Sequence, residues 1–457
     1  MPVEYDLAII GGTPEGRIAA IAAAKTGARV ALVEATSAWQ QQVYVDTLRQ
    51  GLAAGVGSTW GEIKTWAQIA TYAQAEQLSP AAIATAGVDV AFDQAAFQPK
   101  RLPILQISQR AIPARRYLIA TGATSGLPQI KGLATAAPLS LAQLAQLETL
   151  PQRIAVVGHQ AMAIEWAFAL THQGVQVILI LTNDQFLIAE DFDIQRLLGQ
   201  QLLAAGVQVV AQSQIDKIQQ IDAQILVWTE DQSIEVDAVA IASRDTPNVA
   251  GLNLSAVGIQ PSGPGVWVNR WLQTAHPRIY AVGPVLGGED RSNLAAQEVQ
   301  VAVHNALFWN HQTVAYAYTT YDLATPDEVG RVGLTEQQAH QRYGDCAQEY
   351  HSASVPLTST DPNKINFCKL IYLDGTQQLI GAHLIGSGAY SMAHSLATAM
   401  RQHPVTLTAL AQPSSASQTL ATLVQQTAQY PANHRWQIGQ WRRDWAENWF
   451  NWRRSRF

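Results

Sequence analysis

Cysteine is nearly absent from this sequence: the 457 residues include two, Cys346 and Cys368. So few thiols argue against an oxidising compartment and fit a reducing cytoplasm. No apolar run reaches the roughly 18 residues that a membrane-spanning helix needs, and no basic leader precedes the first strand, so a signal peptide is not expected. The net charge of −6 is modest and argues against nucleic-acid binding.

The N-terminal segment has the pattern of a dinucleotide-binding unit. It reads YDLAIIGGTPEGRIAAIAAAKTGARVALVE, which predicts a buried strand, a glycine-rich turn, a helix and a second strand ending at Glu34. The G-x-G-x-x-G pattern keeps Gly11 and Gly16 but has Thr13 as its second residue. The helix N-terminus offers N–H groups to an anion, although Glu15 adds a negative charge there. Glu34 lies where a ribose-binding acid is expected, and a Rossmann-like turn without a ligand is the alternative.

A second, weaker unit begins after Pro151 with RIAVVGHQAMAIEWA. Gly158 keeps the first glycine of the pattern, Gln160 replaces the second and Ala163 the third. Gln160 places a side chain where a pyrophosphate would lie, and the strand ends in Thr182-Asn183 instead of an acid or an arginine. We interpret this unit as a retained scaffold with little affinity for a nicotinamide nucleotide.

The order of these parts resembles the pyridine nucleotide-disulfide oxidoreductases, the family of dihydrolipoamide dehydrogenase and mercuric reductase. The resemblance covers roughly residues 4–428. It rests on six segments in the family order: YDLAIIGGTPEGR, RYLIATGATSGLP, RIAVVGHQAMAIEWA, HPRIYAVGP, VGRVGLTEQQA and KLIYLDGTQQLIGAHLIG.

The resemblance implies an α/β fold with two Rossmann-like dinucleotide-binding domains, of FAD and NAD(P) type, and an α+β C-terminal domain that forms a two-fold dimer. The expected boundaries are 1–148 and 263–315 for the FAD domain, 149–262 for the NAD(P)-type domain, 316–430 for the dimerisation domain and 431–457 for a C-terminal helix.

The resemblance also implies which residues would hold FAD. Thr121-Gly122 matches the family's A-T-G turn near the flavin nucleotide, and a simple strand-to-loop turn is the alternative. Gly283 matches the glycine of a Gly-Asp pair, but Pro284 replaces the aspartate that accepts hydrogen bonds from the ribityl chain. The expected cofactor-binding residues are Gly11, Gly12, Thr13, Pro14, Glu15, Gly16, Glu34, Thr121, Gly122 and Gly283. For NAD(P), binding is doubtful.

Most residues that perform the family's chemistry are missing. Its redox-active C-x-x-x-x-C segment corresponds here to ATSAWQQQVYVDTLRQG, which has no cysteine, and its His–Glu dyad corresponds to AQPSSASQ. Cys346 and Cys368 lie far along the chain, and we interpret them as buried apolar residues. Glu165 matches a glutamate near the nicotinamide and a lysine in active relatives; because the lysine segment is missing, a solvated helix residue is the alternative.

The C-terminal tail is the part that the family does not explain. Five of the 13 tryptophans fall between Trp436 and Trp452. On a helix over residues 433–457, most of them share one stripe, flanked by arginines. Such a stripe suits a protein partner, a membrane surface or docking on the protein's own dimer.

These observations predict a homodimeric, cytoplasmic, FAD-binding flavoprotein, an oxidoreductase without dithiol–disulfide chemistry. No catalytic residue and no metal ligand is predicted. The alternative is a catalytically inactive pseudoenzyme, a dimeric scaffold or binding module that acts through its tail. A membrane surface as the partner would make the protein peripheral to a membrane.

Overall fold

The computed structural model describes residues 4–35, 39–99, 102–182, 187, 190–211, 215–221, 224–229, 232–242, 246–260, 265–287, 292–354, 364–412 and 419–438, without the side chains of 292, 293 and 433–438. The chain forms two compact units. One comprises residues 1–187 and 202–315, and the other comprises residues 188–201 and 316–457.

The first unit begins with a helix-rich segment around a parallel sheet. Its elements are β1 (Tyr5–Ile10), α1 (Pro14–Ala24), β2 (Val30–Glu34), α2 (Trp39–Ala53), α3 (Trp60–Gln77), α4 (Pro80–Thr85), β3 (Asp89–Phe92), β4 (Ala96–Gln98), β5 (Ile104–Gln106), β6 (Ala111–Ile112), β7 (Ala114–Ile119), β8 (Ala123–Thr124), β9 (Leu139–Ser140) and α5 (Leu141–Gln146).

A second βαβ segment follows, and the chain then returns to the first sheet. The elements are β10 (Arg153–Val157), α6 (Ala161–His172), β11 (Gln176–Leu181), α7 (Phe192–Ala204), β12 (Gln208–Ala211), β13 (Ile215–Ile221), β14 (Gln224–Thr229), β15 (Ser233–Val236), β16 (Ala238–Ile241), β17 (Thr246–Pro247), β18 (Ile279–Ala281) and α8 (Ser292–Leu307).

The remaining elements belong, together with most of α7, to the second unit, which is built on an antiparallel sheet. They are β19 (Thr320–Leu323), β20 (Val329–Gly333), α9 (Glu336–Tyr343), β21 (Ala347–Ser354), β22 (Asn366–Leu373), β23 (Leu379–Ile385), α10 (Ala389–Gln402), α11 (Leu407–Leu410) and α12 (Leu420–Ile438).

Three five-stranded sheets organise these elements. The first has the order β18-β7-β1-β2-β3 and the second the order β12-β11-β10-β16-β9, and all their pairs are parallel. The third has the order β19-β20-β23-β22-β21 and is antiparallel throughout. Two parallel sheets with Rossmann-type crossovers and one antiparallel module confirm the predicted fold class. The expected boundaries inside the first unit stay predictions.

The first sheet is covered on both faces, as a parallel sheet requires. Leu7 and Ile9 pack in a buried cluster with α1 and α8, whereas Ala8 and Ile10 pack in a different cluster on the opposite face. Both faces of the sheet are therefore covered, and the ends of its strands remain open. The site described below lies at those ends.

The second unit contains a buried group of charges. The ammonium nitrogen of Lys369, which is 1% exposed, lies 2.7 Å from Asp191, 2.8 Å from Asp193 and 2.5 Å from Glu336. Three carboxylates around one amine keep the buried cation hydrogen-bonded, and they raise its pKa although burial alone would lower it. The three acidic side chains therefore surround a lysine.

The predicted C-terminal helix lies largely outside the described residues. The backbone of α12 is helical as far as Ile438, and the tryptophan stripe beyond it belongs to the undescribed part, as does Asn183. Among the described residues, no helix has the length and apolar character needed to cross a membrane.

Candidate functional site

A cavity of about 710 Å³ lies in the first unit at the carboxyl ends of β1, β2 and β7. This is the edge of an open parallel sheet at which such folds bind their ligands, and the volume is typical of cofactor pockets. The wall is formed by the first glycine-rich turn, one face of α2, the turn after β7, the start of α5 and the segment after β17. Its members include Gly11, Gly12, Thr13, Val33, Trp39, Gln41, Gln42, Val45, Asp93, Gln94, Thr121, Gly122, Ser125, Ser140, Asn248 and Gly251.

The first turn has the shape that a dinucleotide site needs. Gly11 has φ +115°, and a Cβ there would lie 2.2 Å from the carbonyl oxygen of Ala120. A Cβ at Gly16 would lie 2.0 Å from the carbonyl oxygen of Gly11. Side chains are thus excluded where the helix approaches the strands, which accounts for both glycines.

Thr13 has a local structural role in place of the pattern's second glycine. Its hydroxyl accepts a hydrogen bond from the Gly16 N–H at 3.3 Å and donates one to the Ala120 carbonyl at 2.9 Å. Thr13 therefore caps α1, with Pro14 as the first helical residue. Its side chain is held against the strands while its residue still lines the cavity.

Glu34 is occupied by an ion pair that sequence reasoning missed. Both its carboxylate oxygens accept hydrogen bonds from Arg17 Nη2, at 2.6 and 2.5 Å, and neither side chain is more than 1% exposed. Arg17 also donates to the carbonyls of Gly12 and Leu78, and its guanidinium carbon lies 4.5 Å from the Trp39 ring centroid. A ribose hydroxyl would have to share this carboxylate with Arg17, and Glu34 is not on the cavity wall.

Gly283 lies beside two buried acids. Its φ is +75°, and its N–H donates to Glu298 at 2.8 Å. A Cβ at Gly283 would approach Glu15 Cγ to 3.3 Å, and Glu15 is only 8% exposed. Glu15, like Pro14, Gly16 and Gly283, supports the turn from outside the cavity wall.

Thr121 and Gly122 line the cavity and are held by Asn248. The Asn248 side chain donates to the Thr121 carbonyl at 3.1 Å and accepts from the Thr124 hydroxyl at 3.1 Å. Its backbone N–H donates to the Gly122 carbonyl at 3.0 Å. Asn248 therefore connects the end of the second βαβ segment with the first site, and sequence reasoning missed it.

Helix α2 connects the cavity with the second βαβ segment. Trp39, Gln41, Gln42 and Val45 line the cavity, and one turn further on Arg49 Nη1 lies 2.6 Å from Glu165 Oε2 on α6. Glu165 is 4% exposed, so its interpretation as a solvated helix residue is wrong. Arg49 is the only basic residue of α2, which is the signal that could have identified it.

The turn of the second βαβ segment has a side-chain hydrogen bond beside it. His159 Nδ1 lies 2.5 Å from the Thr182 hydroxyl, so the ends of β10 and β11 are joined by a hydrogen bond where a nucleotide ribose would be expected. Gln160 is the N-terminal cap residue of α6 but makes no capping hydrogen bond with its side chain.

The comparisons with known proteins agree with this geometry. The family model described as pyridine nucleotide-disulphide oxidoreductase matches residues 5–306, and that of the family's dimerisation domain matches residues 323–424. The chain belongs to the pyridine nucleotide-disulphide oxidoreductase family. The resemblance noted in the sequence is confirmed.

Individual relatives are distant. Mercuric reductase of Staphylococcus aureus is 27% identical over 87% of this chain and 77% of that protein. Glutathione reductase of Nostoc sp. is 26% identical over 88% of this chain and 94% of that protein. Two further mercuric reductases match over only 56% and 48% of their own length. The structure of LpdA from Mycobacterium tuberculosis superimposes with a TM-score of 0.79 at 23% identity, covering 93% of this chain and 99% of that one.

The thiols of the chain lie away from the cavity. Neither cysteine lines the cavity, and both belong to the second unit. Cys368 is fully buried, and burial raises the pKa of its thiol to about 12. Cys346 is exposed, so its interpretation as a buried residue is wrong. The cavity face of α2 carries an indole, two amides and a valine.

Proposed function

We propose that this protein is an FAD-binding flavoprotein of its family, an oxidoreductase that transfers electrons directly at the flavin without a dithiol relay. The cavity at the first glycine-rich turn carries this proposal, because it joins the turn, the Thr121-Gly122 segment and α2 in one space of about 710 Å³. FAD, when bound, would supply two-electron redox chemistry that no side chain of the wall can perform.

The wall residues fit the parts of such a cofactor. The N-terminus of α1 directs N–H groups toward a pyrophosphate, with Gly11, Gly12 and Thr13 on the wall beside it. Thr121 and Gly122 would contact the flavin nucleotide, and α2 would exclude water on one side. Glu34 would contact the adenosine ribose only if it shared its carboxylate with Arg17.

The absence of thiols from the wall supports electron transfer without disulfide exchange. A dithiol relay needs a thiolate as the attacking group, and Cys368 is protonated and buried. We therefore expect no turnover of dihydrolipoamide, glutathione disulfide or Hg(II) beyond that of free flavin. Turnover of any of these by the pure protein would contradict this part of the proposal.

Nicotinamide nucleotides would bind weakly. The support is Gln160 at the second-glycine position and the His159–Thr182 hydrogen bond at the ends of β10 and β11. Rapid flavin reduction at micromolar NADH or NADPH would contradict this expectation, and the electron donor would then be identified.

The flavin is tested by the visible absorption spectrum of the purified full-length chain, before and after incubation with FAD. A matched pair of variants locates the site: Gln42→Trp fills the cavity from α2, and Gln40→Trp adds the same bulk at an exposed position of the same helix. We expect flavin in the parent and in Gln40→Trp, and its loss in folded Gln42→Trp.

The same experiment separates an oxidoreductase from the pseudoenzyme. If no flavin is retained or taken up by any of the three proteins, the flavoprotein is refuted and the dimeric scaffold remains. If flavin binds and the protein passes electrons from an enzymatic donor to an acceptor faster than free flavin does, the scaffold interpretation fails.

We further propose a homodimer through the second unit. The support is the match of residues 323–424 to the dimerisation domain, in which two copies would form a two-fold contact. Light scattering at micromolar concentration tests it, and a monomer would count against it.

A protein partner or a membrane surface is proposed for residues 433–457, on the sequence pattern alone. Deleting residues 433–457 should abolish association with that partner or with anionic vesicles while flavin content and dimer mass are unchanged. Unchanged association after the deletion would refute this role.

A further inference from the structure

A second cavity, of about 570 Å³, lies in the first unit at the amino ends of the strands of the first sheet. The cavity at the first glycine-rich turn lies at their carboxyl ends, so the two cavities are at opposite edges of the sheet. The wall of the second cavity contains three arginines, Arg115, Arg116 and Arg278, and one acid, Asp6. Its remaining wall comes from the segments that end α1 and α8.

Two of the arginines come from neighbouring segments of the first sheet: Arg116 lies in β7, and Arg278 lies in the turn directly before β18. Each precedes a member of the register pair Tyr117–Ile279 that joins β7 with β18. Alternation along β7 places Arg116 on the face of Leu118, which packs in the buried cluster with α1 and α8. The Arg278 carbonyl accepts a hydrogen bond from the Tyr117 N–H at 2.9 Å, so the Arg278 backbone lies beside β7, and both arginines line the cavity. Two like charges on the wall of one cavity repel each other unless a counter-ion lies between them.

Within the described part of the chain, these two guanidinium groups have no acidic partner. Arg116 Nη1 donates to the carbonyl of Arg115 at 3.1 Å, and its Nε is shielded from water without any hydrogen-bond acceptor. The single nearby carboxylate, Asp6, lies 3.7 Å from Arg115 instead. A buried N–H without an acceptor is costly, which points to a missing acceptor at this position.

The helix ends near the cavity do not balance this charge. The C-termini of α1 and α8 each carry about half a negative charge, and Asp6 carries one. Against three guanidinium groups, about one positive charge remains in the cavity. The neighbouring imidazole of His276 responds to the same field: burial lowers its pKa, and Arg278 and Arg116 lower it further.

We propose that this second cavity binds the phosphate group of a small molecule, held by Arg116 and Arg278. Guanidinium groups present planar pairs of N–H donors that match phosphate oxygens. A phosphate monoester carries about −1.5 to −2 charges at neutral pH, which exceeds the residual positive charge and neutralises the opposed arginines.

The cavity has room for more than the phosphate. A water molecule occupies about 30 Å³ of liquid volume, so 570 Å³ holds an organic portion as well. Leu307 and Phe308 form an apolar wall, and the Phe308 side chain is 53% exposed. An aromatic or sugar portion would contact this wall, so AMP is a suitable probe beside inorganic phosphate.

Calorimetric titration of the full-length protein, as purified and at constant ionic strength, tests the site. We expect saturable binding of inorganic phosphate and of AMP, which compete with each other, and none of adenosine. Tighter binding of AMP than of phosphate would identify a phosphorylated organic ligand, and equal binding would identify phosphate itself.

A double variant and a matched control decide whether these arginines form the site. Arg116→Gln/Arg278→Gln should weaken both ligands by at least about tenfold, the loss expected for a charge-assisted hydrogen bond. Arg29→Gln, at an exposed arginine outside the cavity wall, should leave affinity unchanged. Unchanged affinity in the double variant, as would occur if phosphate bound at the first glycine-rich turn, overturns the proposal, and so does equal binding of adenosine.

Thermal unfolding gives a second readout. Without ligand, the double variant should be at least as stable as the parent, because the opposed charges are gone. Phosphate should raise the Tm of the parent and of Arg29→Gln, since a ligand of the folded state stabilises it, but not that of the double variant. Arg278→Lys keeps the charge without the planar donor pair. Phosphate should therefore raise its Tm by less than that of the parent and by more than that of the double variant. A phosphate effect on Tm that is equal in all variants overturns the proposal.

Discussion

Replacing Arg17 by methionine tests how the first glycine-rich turn is held together. Arg17 connects four parts of the first unit: it binds Glu34 at the end of β2, the Gly12 carbonyl in the turn, the Leu78 carbonyl after α3, and the face of Trp39 at the start of α2. Methionine retains most of the aliphatic volume and removes every donor. The substitution therefore leaves Glu34, whose side chain is 0% exposed, without its cation.

The expected loss is large because both partners are buried. Removing one member of a buried ion pair costs about 3–5 kcal/mol, chiefly because the remaining charge stays in a low-dielectric site. For a unit of about 300 residues each kcal/mol changes Tm by about 1.6 °C. We therefore expect Arg17→Met to lower the Tm of the first unit by roughly 5–8 °C, well beyond the effect of an ordinary surface substitution.

A double-mutant cycle separates the ion pair from simple loss of packing. Arg17→Met and Glu34→Leu are compared with the double variant by calorimetry, with the exposed Arg29→Met as the control. The double variant should be less destabilised than the two single variants together, because apolar side chains of similar volume replace a buried pair at little net cost. If the three values are additive, or if Arg17→Met unfolds at the parental temperature, the buried pair does not hold the turn.

The cycle also addresses the cofactor. If Glu34 binds the adenosine ribose, Glu34→Leu should weaken FAD retention far more than Arg17→Met does. If its main role is to hold the turn through Arg17, both single variants should lose FAD to a similar extent. Equal retention of FAD in all variants would show that the pair is irrelevant to the site.

Three further predictions concern other buried groups. Arg49→Met, which removes the cation beside Glu165, should lower stability by about 2 kcal/mol, measured by denaturant titration; no change would show that Glu165 is balanced by other groups. Burial lowers the pKa of His383 to about 4. Between pH 6.5 and 4 the unfolded chain therefore binds more protons than the folded protein, and the free energy of unfolding decreases by up to about 3 kcal/mol as the pH is lowered. His383→Gln should flatten the Tm profile over that window, and an unaltered profile would contradict this assignment. Iodoacetamide should label Cys346 in the native protein and Cys368 only after unfolding, as read by mass spectrometry; equal labelling of both would contradict the burial of Cys368.

How far the sequence predicts the site depends on the range of the interactions. The strand, turn and helix of the first unit follow from local rules, because apolar runs, Gly11 and Gly16 restrict the backbone wherever the chain is placed. The fold class was predictable for the same reason. The absence of a thiol from α2 is read directly from its sequence, which has no cysteine. The capping role of Thr13 is also local, since its partner Gly16 is three residues away.

Contacts between distant segments were not predictable. Arg17 and Glu34 are 17 residues apart, and Arg49 and Glu165 are 116 apart; nothing in either neighbourhood indicates which opposite charge will be buried beside it. Asn248 reaches the Thr121 carbonyl across 127 residues. Arg116 and Arg278 line one cavity only because the chain returns to the first sheet through β18. The sequence alone determined the type of fold and the glycine-rich turn, since these depend on steric rules within a few residues. Only the tertiary structure decided which charges meet, because burial makes a pairing strong, and burial depends on how the whole unit packs.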